Sequence, residues 1–326
     1  MKAMARPLRH LAQGCAESRT SRATTLVLAA LVTLAVTGPA LAQVQPKYLY
    51  TLANFEGRLP YDWARVHVDQ ERDETYVVYQ NLIRIFGPSG MEVFSFGDDL
   101  DLGRIVDAVV DGQGDIVMLS YLAGRPLVTR CDFRGVPIGP VDIVGLPAEI
   151  PFEPNRVVYR NGLLYFVSGG LRVVVTDSSG EVREHIDLLP LLELDEKQRG
   201  DVELIGFAVD ADGNIWFTVP VHFKVYRLAA DRTLTSFGRP GAAPGRFGIV
   251  AGVVTDSRGH VLVADKLRCV ILVFDRDLNF LTEFGYRGSQ PENLIVPDDL
   301  AIDTQDRVYV TQGRRRGVSV FALAGG

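Results

Sequence analysis

Short apolar alternations separated by polar turns recur along the chain. "GFAVDADGNIWFT" (206–218) shows the unit: an alternating apolar run, an Asp-Ala-Asp-Gly turn, and a second apolar run. Alternation at period two, bounded by Gly, Asp and Asn, predicts two β-strands joined by a tight turn. The same template fits "RVHVDQERDETYVVY" (65–79), "DAVVDGQGDIVML" (107–119), "NRVVYRNGLLYFV" (155–167), "GVVTDSRGHVLVA" (252–264) and "DLAIDTQDRVYVT" (299–311). The residues closing the first strand are Asp69, Asp111, Tyr159, Asp210, Asp256 and Asp303, spaced 42, 48, 51, 46 and 47 apart.

Each copy continues through a third strand such as "CVILVFD" (269–275), a second turn, and a fourth strand such as "FLTEFG" (280–285). Four antiparallel strands repeated every 40–50 residues predict an all-β, six-bladed β-propeller. Only "LLPLLELDEKQRG" (188–200) could form a short helix, within a loop. The last copy ends after its third strand, "VSVFAL" (318–323), whereas "KYLYTL" (47–52) reads as a fourth strand with no unit before it. Pairing the two would close the ring and remove two open sheet edges.

Residues 1–42 fall outside this pattern. A head with Lys2, Arg6, Arg9, Arg19 and Arg22 precedes the apolar "TTLVLAALVTLAV" (24–36) and an A-x-A site ending at Ala42. That is the arrangement of a secretory signal peptide, so residues 43–326 are expected to form one exported domain, periplasmic or extracellular, with no membrane span. The whole chain carries −6 and the leader contributes +4, leaving −10 for the exported part. An acidic domain of this kind argues against nucleic acid as a partner. Cys131 and Cys269 fall in blades two and five, on opposite sides of the ring, too far apart for a disulfide. They are expected to be reduced and buried.

The aspartates that close the first strands suit a structural role, accepting N–H groups of the turns they begin. Function is expected at the opposite rim, where the long loops 55–63, 98–106, 144–154, 189–205, 239–251 and 286–298 enter the first strands. Four positions before the aspartates stand Arg65, Asp107, Asn155, Gly206, Gly252 and Asp299, expected to ring the mouth of the central channel. Arg65, Asp107, Asn155 and Asp299 are the candidate ligand-binding set. Asp107, Asn155 and Asp299 supply oxygens of the kind that hold Ca²⁺ or Mg²⁺. Around them Trp63, His222, Lys224, Lys266, Arg268, Arg314, Arg315 and Arg316 form a candidate face for docking a partner, including a cell-envelope complex.

The runs "FGRPGAAPGRFGIVAGVVTDSRGHVLVADKLRCVILVFDRDLNFLTEFG" (237–285) and "NLIVPDDLAIDTQDRVYVTQG" (293–313) resemble the NHL repeat of six-bladed propellers. That resemblance implies a fold shared by interaction scaffolds and enzymes. The Asn-Arg pair frequent in that repeat is replaced here by Arg-Cys-Val at 268–270. "DGNIWFT" (212–218) is similar to strings in streptogramin-type lyases and gluconolactonase/regucalcin-like propellers, but it covers a turn and a buried strand, which carry no chemistry. No G-x-S-x-G or H-E-x-x-H motif occurs, and the histidines are scattered through the fold. The expected function is therefore a protein- or ligand-binding scaffold. A metal-dependent lactonase or lyase is the alternative.

Overall fold

In the computed structural model, residues 44–98, 101–195 and 199–324 are described. The leader expected over 1–42 and part of the 188–200 stretch lie outside these residues. Strand β1 (Gln45–Thr51) and a small hairpin, β2 (Ala53–Asn54) and β3 (Gly57–Arg58), precede the first blade. Blade 1 holds β4 (Arg65–Asp69), β5 (Glu74–Tyr79), β6 (Leu82–Phe86) and β7 (Glu92–Phe96). Blade 2 holds β8 (Arg104–Val110), β9 (Ile116–Leu122), β10 (Arg125–Cys131) and β11 (Pro137–Pro140). Blade 3 holds β12 (Arg156–Arg160), β13 (Leu163–Ser168), β14 (Arg172–Asp177) and β15 (Val182–Asp187). Blade 4 holds β16 (Phe207–Val209), β17 (Ile215–Val219), β18 (Lys224–Leu228) and β19 (Leu234–Phe237). Blade 5 holds β20 (Val250–Thr255), β21 (Val261–Asp265), β22 (Val270–Phe274) and β23 (Phe280–Gly285). Blade 6 holds β24 (Pro297–Ile302), β25 (Arg307–Gln312) and β26 (Val318–Ala324), with β1 as its outer strand.

That last pairing closes the ring. β1 runs antiparallel to β26 from Gln45 opposite Ala324 to Thr51 opposite Ser319. Leu189–Leu191 forms a 3₁₀ turn within the 188–200 stretch.

Strand sequence follows position in the blade. Middle strands are sandwiched between neighbouring blades, so β17 (IWFTV) and β22 (VILVF) are buried at every residue. A strand covered on both faces needs a continuous apolar run rather than an alternation. The outer strand β15 (VREHID) has one wet face and alternates. The buried side chains form six apolar clusters, one at each junction between adjacent blades. Trp216 packs into the junction of blades 4 and 5, while its indole N–H donates to Asp210 at 2.8 Å.

The turn aspartates do what their positions predict. Oδ1 of Asp69, Asp111, Asp210, Asp256 and Asp303 each accepts two backbone N–H groups of the following turn. The second oxygen takes a side-chain donor, such as His260 in blade 5 and Tyr309 in blade 6. Blade 3 has Tyr159 at this position and turns differently. Asn161 and Gly162, both left-handed (φ 51° and 81°), join strands at Arg160 and Leu163 in a two-residue turn. Asn-Gly supplies the positive φ values such a turn requires.

Cys131 and Cys269 are free and buried, in blades 2 and 5. Burial pushes the Cys131 thiol up to about 11, leaving almost no thiolate at neutral pH. Both thiols are therefore expected to resist an aromatic disulfide reagent in native protein. They should be titrated fully only in denaturant.

Candidate functional site

The six innermost strands converge on one axis, and three of them are bulged there. An extra residue enters β8 between Ile105 and Asp107, β20 between Val250 and Val253, and β24 between Pro297 and Leu300. A bulge re-aims the side chain beside it. In β8 and β24 the residues placed there are Asp107 and Asp299. Blades 4 and 5 have Gly206 and Gly252 at the corresponding positions for a packing reason. A Cβ on Gly206 would collide with the Ala251 carbonyl, and one on Gly252 would press on the backbone at 298–300. Blades 4, 5 and 6 thus approach backbone to backbone, and polar side chains fill the axis from blades 1, 2, 3 and 6.

These side chains form a belt across the channel. Asp107 Oδ1 faces His67 Nε2 at 2.7 Å and accepts the Ala108 N–H at 3.0 Å. Its Oδ2 accepts the Val157 N–H at 2.9 Å. Asp299 Oδ1 accepts from Arg156 Nη2 at 3.0 Å, and Oδ2 from the Val66 N–H at 3.3 Å. Arg156 also donates to the Ile205 and Phe207 carbonyls. The two aspartates therefore bind innermost strands of blades 1, 2, 3 and 6 to one another. Arg156 extends the link to blade 4. Burial works against the charged form of Asp107, but His67, Arg65 and Arg156 outweigh it and hold the carboxyl below its ordinary value. Burial opposes the charge on Arg156 as well, yet Asp299 and Asp107 leave its pKa raised.

The residues of the expected Ca²⁺ or Mg²⁺ set do not fit such an ion. Every carboxylate oxygen of Asp107 and Asp299 already accepts a donor of the chain, and the Arg156 cation is inserted between the blades that carry them. Asn155 is exposed just before β12. Among the described residues no group of three or more His, Cys, Asp and Glu is placed to hold a metal. The actual partners, His67 and Arg156, escape a count of four positions from the turn. In blade 3 it is Arg156, one residue after Asn155, whose side chain reaches Asp299. His67 lies two residues from Arg65 on an alternating strand, a signal that could have placed both on the channel face.

A cavity opens at each end of the belt. The one at the turn rim, about 440 Å³, is lined by all six innermost strands or their turns, with His67 and Arg156 at its floor. The one at the loop rim, about 380 Å³, lies over blades 1 to 3 and is lined by Trp63, Arg65, Arg104, Tyr121 and Asn155 among others. Arg65 is half-buried, and its guanidinium makes no hydrogen bond or ion pair among the described residues. Burial, followed by the neighbouring Arg156, lowers its pKa. Trp63 is 54% exposed on a left-handed backbone (φ 62°). It is held there by Lys266, whose ammonium lies 4.9 Å from the ring centre and pairs with Asp298 at 2.5 Å. Next to it, Asp62 accepts the Arg314 N–H at 2.8 Å. Such a backbone costs on the order of 1–3 kcal/mol and persists where its surroundings fix it.

The basic rim is less free than its sequence suggests. Arg268 is folded inward onto Glu283 at 2.5 Å and the Arg246 carbonyl at 2.7 Å. Arg316 donates to the Gln290 and Asn293 carbonyls, tying down the loop that enters blade 6. Lys266 is committed to Asp298. These three brace loops and offer little charge to a partner. Arg314 and Arg315 are exposed, Lys224 is half-buried, and His222 Nδ1 lies 2.9 Å from the Tyr226 hydroxyl. The same rim hides a buried brace that the sequence did not announce. Asp265 accepts four backbone N–H groups, from Gly248, Ile249, Leu267 and Arg268, stitching the loop entering blade 5 to the corner of that blade.

Fold and site together define a six-bladed β-propeller with a channel plugged by a polar belt and a pocket at its loop-rich mouth. No protein-family model and no curated protein matches the sequence. Solved structures share the fold at low identity. A protein of unknown function from Bacteroides thetaiotaomicron superposes with a TM-score of 0.62 at 12% identity, over 86% of this chain and 76% of its own. A streptogramin B lyase gives 0.58 at 11% identity, over 86% of this chain and 98% of its own. A gluconolactonase from Xanthomonas campestris gives 0.56 at 15% identity, over 88% and 98%.

The belt yields two predictions. Replacing Asp299 by Ala leaves the Arg156 guanidinium buried without its counter-ion, so the folded state should lose about 3–5 kcal/mol in urea titration. Asp107 has a lower pKa folded than unfolded. Its contribution to stability is therefore complete above the unfolded value and disappears as pH falls through the folded one. Asp107→Asn should accordingly flatten the acid limb of a stability–pH curve measured from pH 2 to 6.

Proposed function

We propose that this chain is an exported NHL-type propeller that works as a binding module, recognising a small molecule or a protein through its loop-rich rim. The observation that carries this reading is the loop-rim pocket. It presents a guanidinium without a partner among the described residues, beside an indole held exposed on a left-handed backbone. A concave site with a few convergent polar groups on a rigid scaffold is the usual form of a ligand site. The exposed Arg314 and Arg315 extend the face for a larger partner, in the exported compartment or within a cell-envelope complex. A metal-dependent lactonase or lyase is the competing reading, motivated by the names of two structural neighbours. The commitment of Asp107 and Asp299 to donors of the chain itself favours binding over that chemistry.

A thermal-shift screen of the exported domain against small metabolites tests this. A ligand at 100 times its Kd should stabilise the fold by about 2.7 kcal/mol. The shift should be lost in Trp63→Ala. A stoichiometric divalent ion that is lost with Asp299→Asn, together with turnover of lactones, would overturn the reading in favour of an enzyme. For a protein partner, charge reversal at Arg314 and Arg315 should abolish its capture, and unchanged capture would remove these residues from the docking face.

A further inference from the structure

The charges around the loop-rim pocket narrow its ligand. Arg65 is cationic at any physiological pH and carries five N–H donors in a planar fork. The charges that act on it are those of Arg156, Asp299, Asp107 and Asp298. None of the three acids neutralises it by contact. Asp107 is taken by His67 and backbone, Asp299 by Arg156 and backbone, and Asp298 by Lys266. Arg104 adds a second cation to the pocket lining, 5.8 Å from the Tyr121 ring centre. Glu153 acts on Tyr121 and is exposed. No carboxylate lines the pocket itself. A guanidinium withdrawn from bulk water without an acceptor is unfavourable, and a carboxylate meets its fork with two parallel charge-assisted hydrogen bonds.

The remaining walls describe the rest of the ligand. Asn155 offers a carboxamide without a side-chain hydrogen bond among the described residues, and Trp63 has one ring face occupied by Lys266. At about 380 Å³ the cavity is at the small end of the range for ligand sites. We propose that the pocket binds a small polar organic carboxylate, its anionic group docked on Arg65 and its body between Asn155 and the Trp63 ring. This assignment rests on the reading of the pocket as the ligand site. It adds the ligand's charge, size class and orientation.

The test is a fluorescence titration of the exported domain with acetate, lactate, malate, citrate and benzoate, with their amides as uncharged controls and inorganic phosphate as a second anion. The chain has two tryptophans, and Trp216 is 5% exposed, so a ligand-dependent change reports Trp63. At least one carboxylate should saturate the signal, with its amide at least tenfold weaker. Arg65→Gln should weaken that acid by tenfold or more. Arg65 has no bonded partner to lose, so the variant should keep the parent's urea midpoint. Arg104→Gln provides a second variant at the pocket wall, expected to weaken the acid by a smaller factor. Phosphate binding tighter than every carboxylate would overturn the carboxylate assignment. A neutral ligand lost in Trp63→Ala but unaffected by Arg65→Gln would overturn it too, while leaving the pocket as a ligand site. No saturable change with any compound, here or in the metabolite screen, would overturn the assignment and the pocket together.

Discussion

Six sheets arranged around one axis bring six innermost strands closer together than ordinary side chains allow. The molecule meets this constraint in two ways. Blades 4, 5 and 6 use Gly206 and Gly252 to bring backbone against backbone. Blades 1, 2, 3 and 6 fill the axis with charges that must be paired because little water reaches them. Asp107 and Asp299 serve as the nodes, each joining donors from two other blades. The six apolar clusters lie between neighbouring blades, so they hold each pair together without linking pairs across the axis. The belt does link them, through Arg156 and Asp299 in blades 3 and 6.

The same belt creates the pocket. Because both aspartates are occupied at mid-channel, Arg65 is left facing the loop rim with no acid to receive it. The cavity above it is thus a by-product of how the axis is filled, with Trp63 on its wall held by Lys266. Structures with similar blades include proteins named as a lyase and as a lactonase. At identities near 11–15% the shared feature is the scaffold. Function on a common fold is specified by the residue set at a site such as this mouth.

The fold was legible because blades repeat. Period-two runs, Asp-led turns and the mismatch between chain ends all have local causes, and they predicted strands, blade number and closure. The bulges had no such signal. One residue is inserted in β8, β20 and β24 and none in β4 or β12, and no local pattern marks the difference. A fixed count from the turn found Arg65, Asp107 and Asp299 but took Asn155 for Arg156 and passed over His67, because which side chains meet across the axis depends on contacts between blades. Rim charges were visible as residue types, yet their engagement depended on loops folding back, as Arg268 does onto Glu283. Charge can be read along a chain, whereas pairing requires knowing which loops meet.

The seam between β1 and β26 pairs Gln45 with Ala324. Nearly the entire polypeptide lies between those partners, so the last hydrogen bonds of the ring close a loop almost as long as the domain. Each doubling of loop length adds only about 0.6 kcal/mol of closure entropy, and the thermodynamic penalty is modest. The kinetic consequence is larger. Contacts of such separation form late and slow folding. Until β26 has emerged and met it, β1 lies unpaired and open to any neighbouring strand. A chain with this seam is thus most vulnerable to misassembly in the interval between synthesis of its fifth blade and arrival of its final strand.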